Sequence, residues 1–243
     1  YYSAFEASNI SCRMGLLDGL SGVWNPGPIR VKRLDMEVRT GSDDPATATR
    51  RAESFLKGFP NFDLSLVEVS DATLRWGFAK VFNPQIRAGL TEPARGEIKN
   101  SAMTVQRTDG GYRLQFRGGT FTQNWLEGLE IVEMTAFIGP DGIQIEKGEF
   151  IAKVEGSQKP PGSVSFLGVK VSGGDRPMVS GTARLKGVPL ELLLPSRVQG
   201  FVEGSISCDL KMGGSTNSNE GVTYEGQVIM SGEDCLTLRD RIH

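Results

Sequence analysis

The sequence predicts an all-β fold: an antiparallel, strongly twisted sheet curling into an open groove or partly closed barrel. Three observations predict it. Short runs of alternating apolar and polar residues recur along the chain, as strands with one buried face require. Tight-turn pairs such as Asp109-Gly110 and Asp141-Gly142 separate many of these runs. Glycine is abundant, 31 of 243 residues, and hydrophobic residues make up only 38%, a composition suited to a turn-rich β protein.

The first forty residues read as β structure. Phe5–Ile10 is one run, and Pro26-Gly27-Pro28 is a turn. Ile29, Val31, Leu34, Met36 and Val38 form a strand whose parity changes at Lys32-Arg33, the mark of a bulge or bend. Between Asp43 and Gly58 the period becomes helical. Asp44 can cap, Pro45 suits the first turn, and Ala48, Ala52, Phe55 and Leu56 supply an apolar stripe, so a three-turn helix is expected near 45–57.

Phe62–Trp76 then reads as strand, Ser70-Asp71-Ala72 turn, strand. A similar pattern returns at Ile143–Phe150, and a weaker one at Glu97–Met103. These copies suggest a loose strand–corner–strand repeat whose spacing is too irregular for a solenoid. Hairpins are expected at Asp109-Gly110-Gly111 and at Pro140-Asp141-Gly142, with strands over 164–171 and 178–185. The glycine pairs at 110–111, 118–119, 173–174 and 213–214 read as hairpin punctuation, and 213–221 as a polar hairpin tip. Nothing in the order of elements suggests a parallel α/β sheet. The chain reads as one elongated β domain over 1–243, with a sub-boundary expected near 158–162, and its abrupt ends read as those of an excised part of a longer protein.

Charge and chemistry narrow the function classes. A net charge of −2 with dispersed lysines and arginines gives no electrostatic case for nucleic acid. The one histidine is His243, which disfavours Ser–His and Cys–His nucleophiles and most zinc sites. Cys12, Cys208 and Cys235 lack metal-ligand spacing and read as buried small hydrophobes, a single disulfide being the alternative. Trp24, Trp76 and Trp125 sit among apolar neighbours and read mainly as core. Carboxylate pairs facing each other across a cleft would be needed for a hydrolase. The expected protein is therefore not an enzyme and needs no cofactor or metal.

What remains is a surplus of apolar strand faces. The inward positions are Val69, Leu74, Trp76, Phe78, Met103, Val105, Leu114, Phe116, Val132, Met134, Ile138, Ile145, Phe150 and Val154. These either fill a sandwich core or line a groove, and alternation does not distinguish the two.

The segment 179–212 carries a family resemblance. Val179, Gly181, Ala183 and Leu185 share one strand face. Val188-Pro189 opens a short helix near 189–194 that Pro195 stops, and Ile206, Cys208, Leu210 and Met212 share the face of the next strand. Gly187-Val-Pro-Leu-x-x-Leu-Leu-Pro195, followed by Gly204-x-Ile-x-x-Asp-Leu-x-Met-Gly213, resembles the C-terminal region of AsmA-like proteins. Cys208 stands where that family usually has glycine. The resemblance covers roughly the last third of the chain. It implies a non-enzymatic bacterial envelope protein in the periplasm, anchored to the inner membrane by a segment outside this sequence, whose β-groove guides phospholipid acyl chains between membranes. Burying one methylene is worth ~0.8 kcal/mol, so ten of them offer roughly 8 kcal/mol without recognition of a head group. The alternative is a structural or adhesive cell-surface β domain that binds protein or glycan through loops and exposes Trp24 or Trp125 there.

Overall fold

The computed structural model of the chain describes residues 2–13, 15, 17, 20, 22, 27–40, 65–78, 95–123, 126–154, 156, 160–172, 178–194, 202–215, 222–228 and 237–238. The strands in chain order are β1 (Tyr2–Ser11), β2 (Ile29–Thr40), β3 (Leu66–Phe78), β4 (Arg95–Thr108), β5 (Gly111–Arg117), β6 (Thr120–Gln123), β7 (Leu126–Gly139), β8 (Gly142–Ala152), β9 (Gly162–Ser172) and β10 (Met178–Pro189). The short helix α1 (Leu190–Leu193) follows, then β11 (Val202–Glu203), β12 (Ser205–Ser215), β13 (Val222–Val228) and β14 (Thr237–Leu238). Twelve strands form one sheet, in the order β1-β2-β3-β4-β5-β7-β8-β9-β10-β12-β13, with β6 between β4 and β7; β11 and β14 form a separate ribbon.

The all-β class and the antiparallel bias are as the alternation predicts. Pairing of β4, β5, β7 and β6 closes a four-strand cycle, and the registers show what the cycle is. Met103 opposes Phe116 and Ile98 opposes Phe121 in the same alignment against β4, while Phe116 opposes Met134 and Thr120 opposes Glu130 in one alignment against β7. β5 and β6 are thus successive halves of one ribbon, interrupted at Gly118-Gly119, both with left-handed φ. This glycine pair kinks a strand and does not turn a hairpin. The edges of the large sheet are β1 and β13.

One pairing departs from expectation. β2 and β3 are parallel, with Val31 beside Val69 and Leu34 beside Ala72. A parallel neighbour needs a crossover of a dozen or more residues, and the long connection from Thr40 to Leu66 supplies the length. The helix expected near 45–57 falls in that connection and lies outside the described residues.

The repeated corners also resolve differently. β3, β4 and β8 each run unbroken through the segments read as strand–corner–strand. The pattern is a kink inside a strand. Its signature is a pair of buried positions three apart, against the two-residue period of a flat strand: Val31 and Leu34, Val69 and Ala72, Ile98 and Ser101, Ile131 and Met134, Leu185 and Val188. Asn100 carries the β4 kink at φ 54. Register shifts accompany the kinks between β3 and β4, β7 and β8, and β10 and β12. Such irregularities bend strands and increase their twist, so a sheet kinked this often curls.

α1 reports how far it curls. β7 lies three strands from β10 along the sheet, ~14 Å by strand spacing, yet α1, at the end of β10, also touches β7. Pro189 starts α1, the Leu190 N–H bonds to the Gly204 carbonyl at 3.0 Å, and Leu192 and Leu193 pack on the core. The expected short helix is there, and it closes one end of the curl. Gly213 and Gly214, read as a hairpin tip, lie within β12. Residues 158–162 connect β8 to β9, which pair over their full lengths, so the sheet continues across that segment.

Candidate functional site: the inner apolar face

Residues directly opposite in neighbouring strands share a face, so the registers trace apolar rows across the sheet. One row runs Ile10, Val31, Val69, Met103, Phe116, Met134, Gly148, Phe166, Ala183, Leu210. The next runs Val67, Val105, Leu114, Ala136, Ile145, Val169, and the row beyond it Tyr112, Ile138, Ile143, Val171, Val179. On the other side Met36, Leu74, Ile98, Phe121 and Leu129 lead toward α1.

Burial along these rows is graded. Val69, Leu74, Met103, Phe116, Met134 and Phe150 are sealed in the core, at 1–8% exposure. There the apolar sides meet one another, as in a filled interior. Trp76, Val105, Leu114, Ile138, Ile145 and Val154 are half-buried. Ile143, in the outermost of these rows, is 43% exposed. At the β1 edge the same face is open: Ile10 is 61% exposed although its partner Val31 is buried, and Phe5, opposite Met36, is 64% exposed. The face is therefore sealed in the middle and stopped by α1 at one end. Toward Ile138 and Ile143 it is only partly covered, with Tyr112, Ala136 and Val169 still buried and Ile143 exposed, and along β1 Phe5 and Ile10 are exposed.

Four aromatic rings cross the sealed part. Trp76 lies 6.1 Å from Phe121, Phe121 5.2 Å from Phe150, and Phe150 5.5 Å from Phe166, with tilted or edge-on geometry, the arrangement ring quadrupoles favour. Glycine makes the close approach possible. A Cβ on Gly96 would strike the Trp76 indole, and one on Gly148 would come within 2.9 Å of the Phe150 ring. The Trp76 indole N–H donates to Gln123 Oε1 at 3.0 Å, so its polar atom is satisfied.

One of the fourteen inward assignments is wrong. Val132 is 48% exposed, because a register shift between Ile131 and Glu133 moves the strand by one residue and turns Val132 to the outer face. Phe78 ends β3, and its side chain lies outside the described residues, as do Trp24 and Trp125. Cys12 is an exposed free thiol, contrary to the expectation of burial, whereas Cys208 is buried and free. Burial pushes the Cys208 thiol up, with the Asp209 charge adding to it, which keeps it protonated and unreactive. Cys235 lies outside the described residues.

The outer face is charged. Arg75 bonds Asp35 at 2.7 Å and Glu97 at 2.9 Å, Glu133 bonds Arg117 at 3.3 Å and Lys147 at 3.4 Å, and Arg184 bonds Asp209 at 2.7 Å. Hydrogen bonds from Arg117 and then Lys147 hold the Glu133 carboxyl below the usual carboxylate range, and Arg184 does the same to Asp209. Exposed pairs of this kind contribute little stability. Their consequence is directional, since a face carrying these charges stays in water and leaves the other face to curl inward. A polar depression of about 140 Å³ lined by Glu6, Ser8, Arg33 and Asp35 belongs to this outer side and has no part in the apolar trough. No family model matches the chain, and no curated protein matches its sequence.

Proposed function

We propose that the protein is a non-enzymatic lipid-handling module whose inner face takes phospholipid acyl chains, in the manner of the AsmA-like proteins that residues 187–213 resemble. The observation that carries this reading is the inner face itself: apolar across the sheet, sealed in its middle, half-buried at Val105, Leu114, Ile138 and Ile145, and exposed at Ile143 and, along β1, at Phe5 and Ile10. A core with no ligand to meet would gain from covering Ile143, Ile10 and Phe5, since each buried methylene contributes ~0.8 kcal/mol. Acyl chains can supply that cover and then leave. The strip demands continuity of apolar surface and no reactive geometry. On the AsmA-like reading the module works in the periplasm as part of an inner-membrane-anchored protein and passes phospholipid between membranes.

The test is native mass spectrometry of the protein purified from a bacterial membrane background, with extraction and identification of bound lipid. Co-purifying phospholipid, displaced by added detergent, is the expected result. Protein that carries no lipid, and takes up none from vesicles, contradicts the proposal.

A further inference from the structure

We propose that two copies of the chain pair along β1, antiparallel and about a two-fold axis, with Ala7 of one copy opposite Ile10 of the other. The ground is a kinked edge that only a strand kinked at the same level can extend. Within β1 the inner positions are Phe5, Ala7 and Ile10, which oppose Met36, Leu34 and Val31. The step from Ala7 to Ile10 is three residues, and Asn9 inside it holds a left-handed φ of 53. A straight strand laid along this edge would share the faces of β1 on one side of Asn9 and reverse them on the other, since a one-residue slip exchanges the faces.

Among the described residues β1 has no neighbour beyond β2, and a strand so placed is a template for another chain. The usual guards of an edge are missing: residues 2–11 contain no lysine, arginine or proline, and one carboxylate, Glu6. On the inner face the edge leaves Phe5 and Ile10 exposed. The other edge of the sheet, β13, does not match it. β13 pairs with β12 from Val222 to Val228 without a shift, so it alternates strictly and carries no kink.

A second β1 does match. The three-residue step is the same read from either end: Ala7 opposite Ile10 in one direction is Ile10 opposite Ala7 in the other, with Ser8 and Asn9 opposite each other between them. A two-fold interface demands this self-complementarity. The register keeps inner residues beside inner residues on both sides of the kink. It also sets Glu6 opposite Ser11, so no like charges meet. Residues 2–13 carry two charges, Glu6 and Arg13, and the register brings Glu6 of each copy toward the Arg13 end of the other. Phe5 and Ile10 gain neighbours in the plane of the sheet, and the inner faces of both copies lie on one side of a continuous sheet. The pairing does not depend on what that face binds.

The test is sedimentation velocity over a concentration series, with cysteine crosslinking in a Cys12→Ser background. Concentration-dependent dimers are expected. Ala7→Cys/Ile10→Cys should oxidise to a covalent dimer, because opposed residues of an antiparallel pair stand about 4.5–5.5 Å apart at Cα, within the span of a disulfide. Ala7→Cys alone should not, since its two copies lie three residues apart along the strands. Ser11→Glu sets two carboxylate pairs across the axis and should weaken the dimer roughly tenfold, whereas Ser11→Lys sets two ion pairs there and should tighten it by a similar factor. Within its own sheet position 11 opposes Arg30, so Ser11→Glu does not set like charges together in the single copy, and an unchanged circular dichroism spectrum checks that it folds. A chain that stays monomeric at its highest soluble concentration overturns the proposal and gives the edge to a different partner. Dimers that respond alike to both charges at position 11, or that crosslink from Ala7→Cys alone, use another surface or register and overturn it as well.

Discussion

Phe150→Ala is expected to destabilise the protein by about 3–5 kcal/mol, the range for removing a large aromatic side chain from a core that collapses incompletely. Phe150 is 1% exposed, and its ring meets both Phe121 and Phe166. Truncation removes the middle of the Trp76–Phe121–Phe150–Phe166 series and leaves a void over Gly148, where no side chain can move in. Denaturant unfolding with an unchanged slope gives the difference directly. Val132→Ala is the comparison. The side chain is as apolar but belongs to the outer face, and its removal should change stability by no more than about 0.5 kcal/mol. A loss below about 1 kcal/mol for Phe150→Ala would mean that the middle of the inner face is not closed.

Gly119→Ala is the second large effect. Gly118 and Gly119 both hold left-handed backbone, at φ 67 and 74, so an alanine at either costs roughly 1–2 kcal/mol from conformation alone. Only Gly119 adds a collision. A Cβ there would meet the backbone carbonyl oxygens of Lys99 and Asn100, the latter at 2.6 Å, whereas a Cβ on Gly118 meets nothing within 4 Å. Backbone oxygens held in a strand pairing cannot swing aside as a side-chain end can. Gly119→Ala should therefore lose at least 2 kcal/mol more than Gly118→Ala, about the scale of severe overpacking. Equal losses at the two positions would mean that β4 does not approach the β5–β6 kink as described.

The contrast between these neighbours shows where sequence reading works and where it stops. Alternation with local turn chemistry placed β5, β7 and β8 and their hairpins, because Asp109-Gly110 and Asp141-Gly142 declare themselves within a few residues. α1 was equally local, with Pro189 opening it after Gly187. Kinks inside strands are not legible in this way. Ser70-Asp71-Ala72 and Gly118-Gly119 carry turn-like residues yet do not turn the chain back, since pairing partners on both sides hold the flanking segments in one register. The parity change at Lys32-Arg33 was the clearest direct sign of this device, and the same three-residue step recurs across the sheet.

Val132 shows the cost of missing one such step. A strict two-residue count from Met134 places it inward, and a single shift against β8 places it outward. The parallel pairing of β2 with β3 was hidden for a different reason: it is a choice between distant segments, and neither strand's own residues record it. Of the candidate site, the apolar character of the face was legible. Its grading was not, because exposure at Ile143 and sealing at Met103 depend on curl, which arises from many kinks together.

The most direct measurement of the central claim is site-specific photo-crosslinking in lipid-loaded protein, with a benzophenone side chain placed at Ile143 or at Val132. Both positions lie on adjacent strands and are similarly exposed, 43% and 48%, but they belong to opposite faces. If acyl chains lie along the inner face, lipid adducts form from position 143 and not from position 132. Equal labelling at both, or none at position 143 while lipid remains bound, would contradict the account.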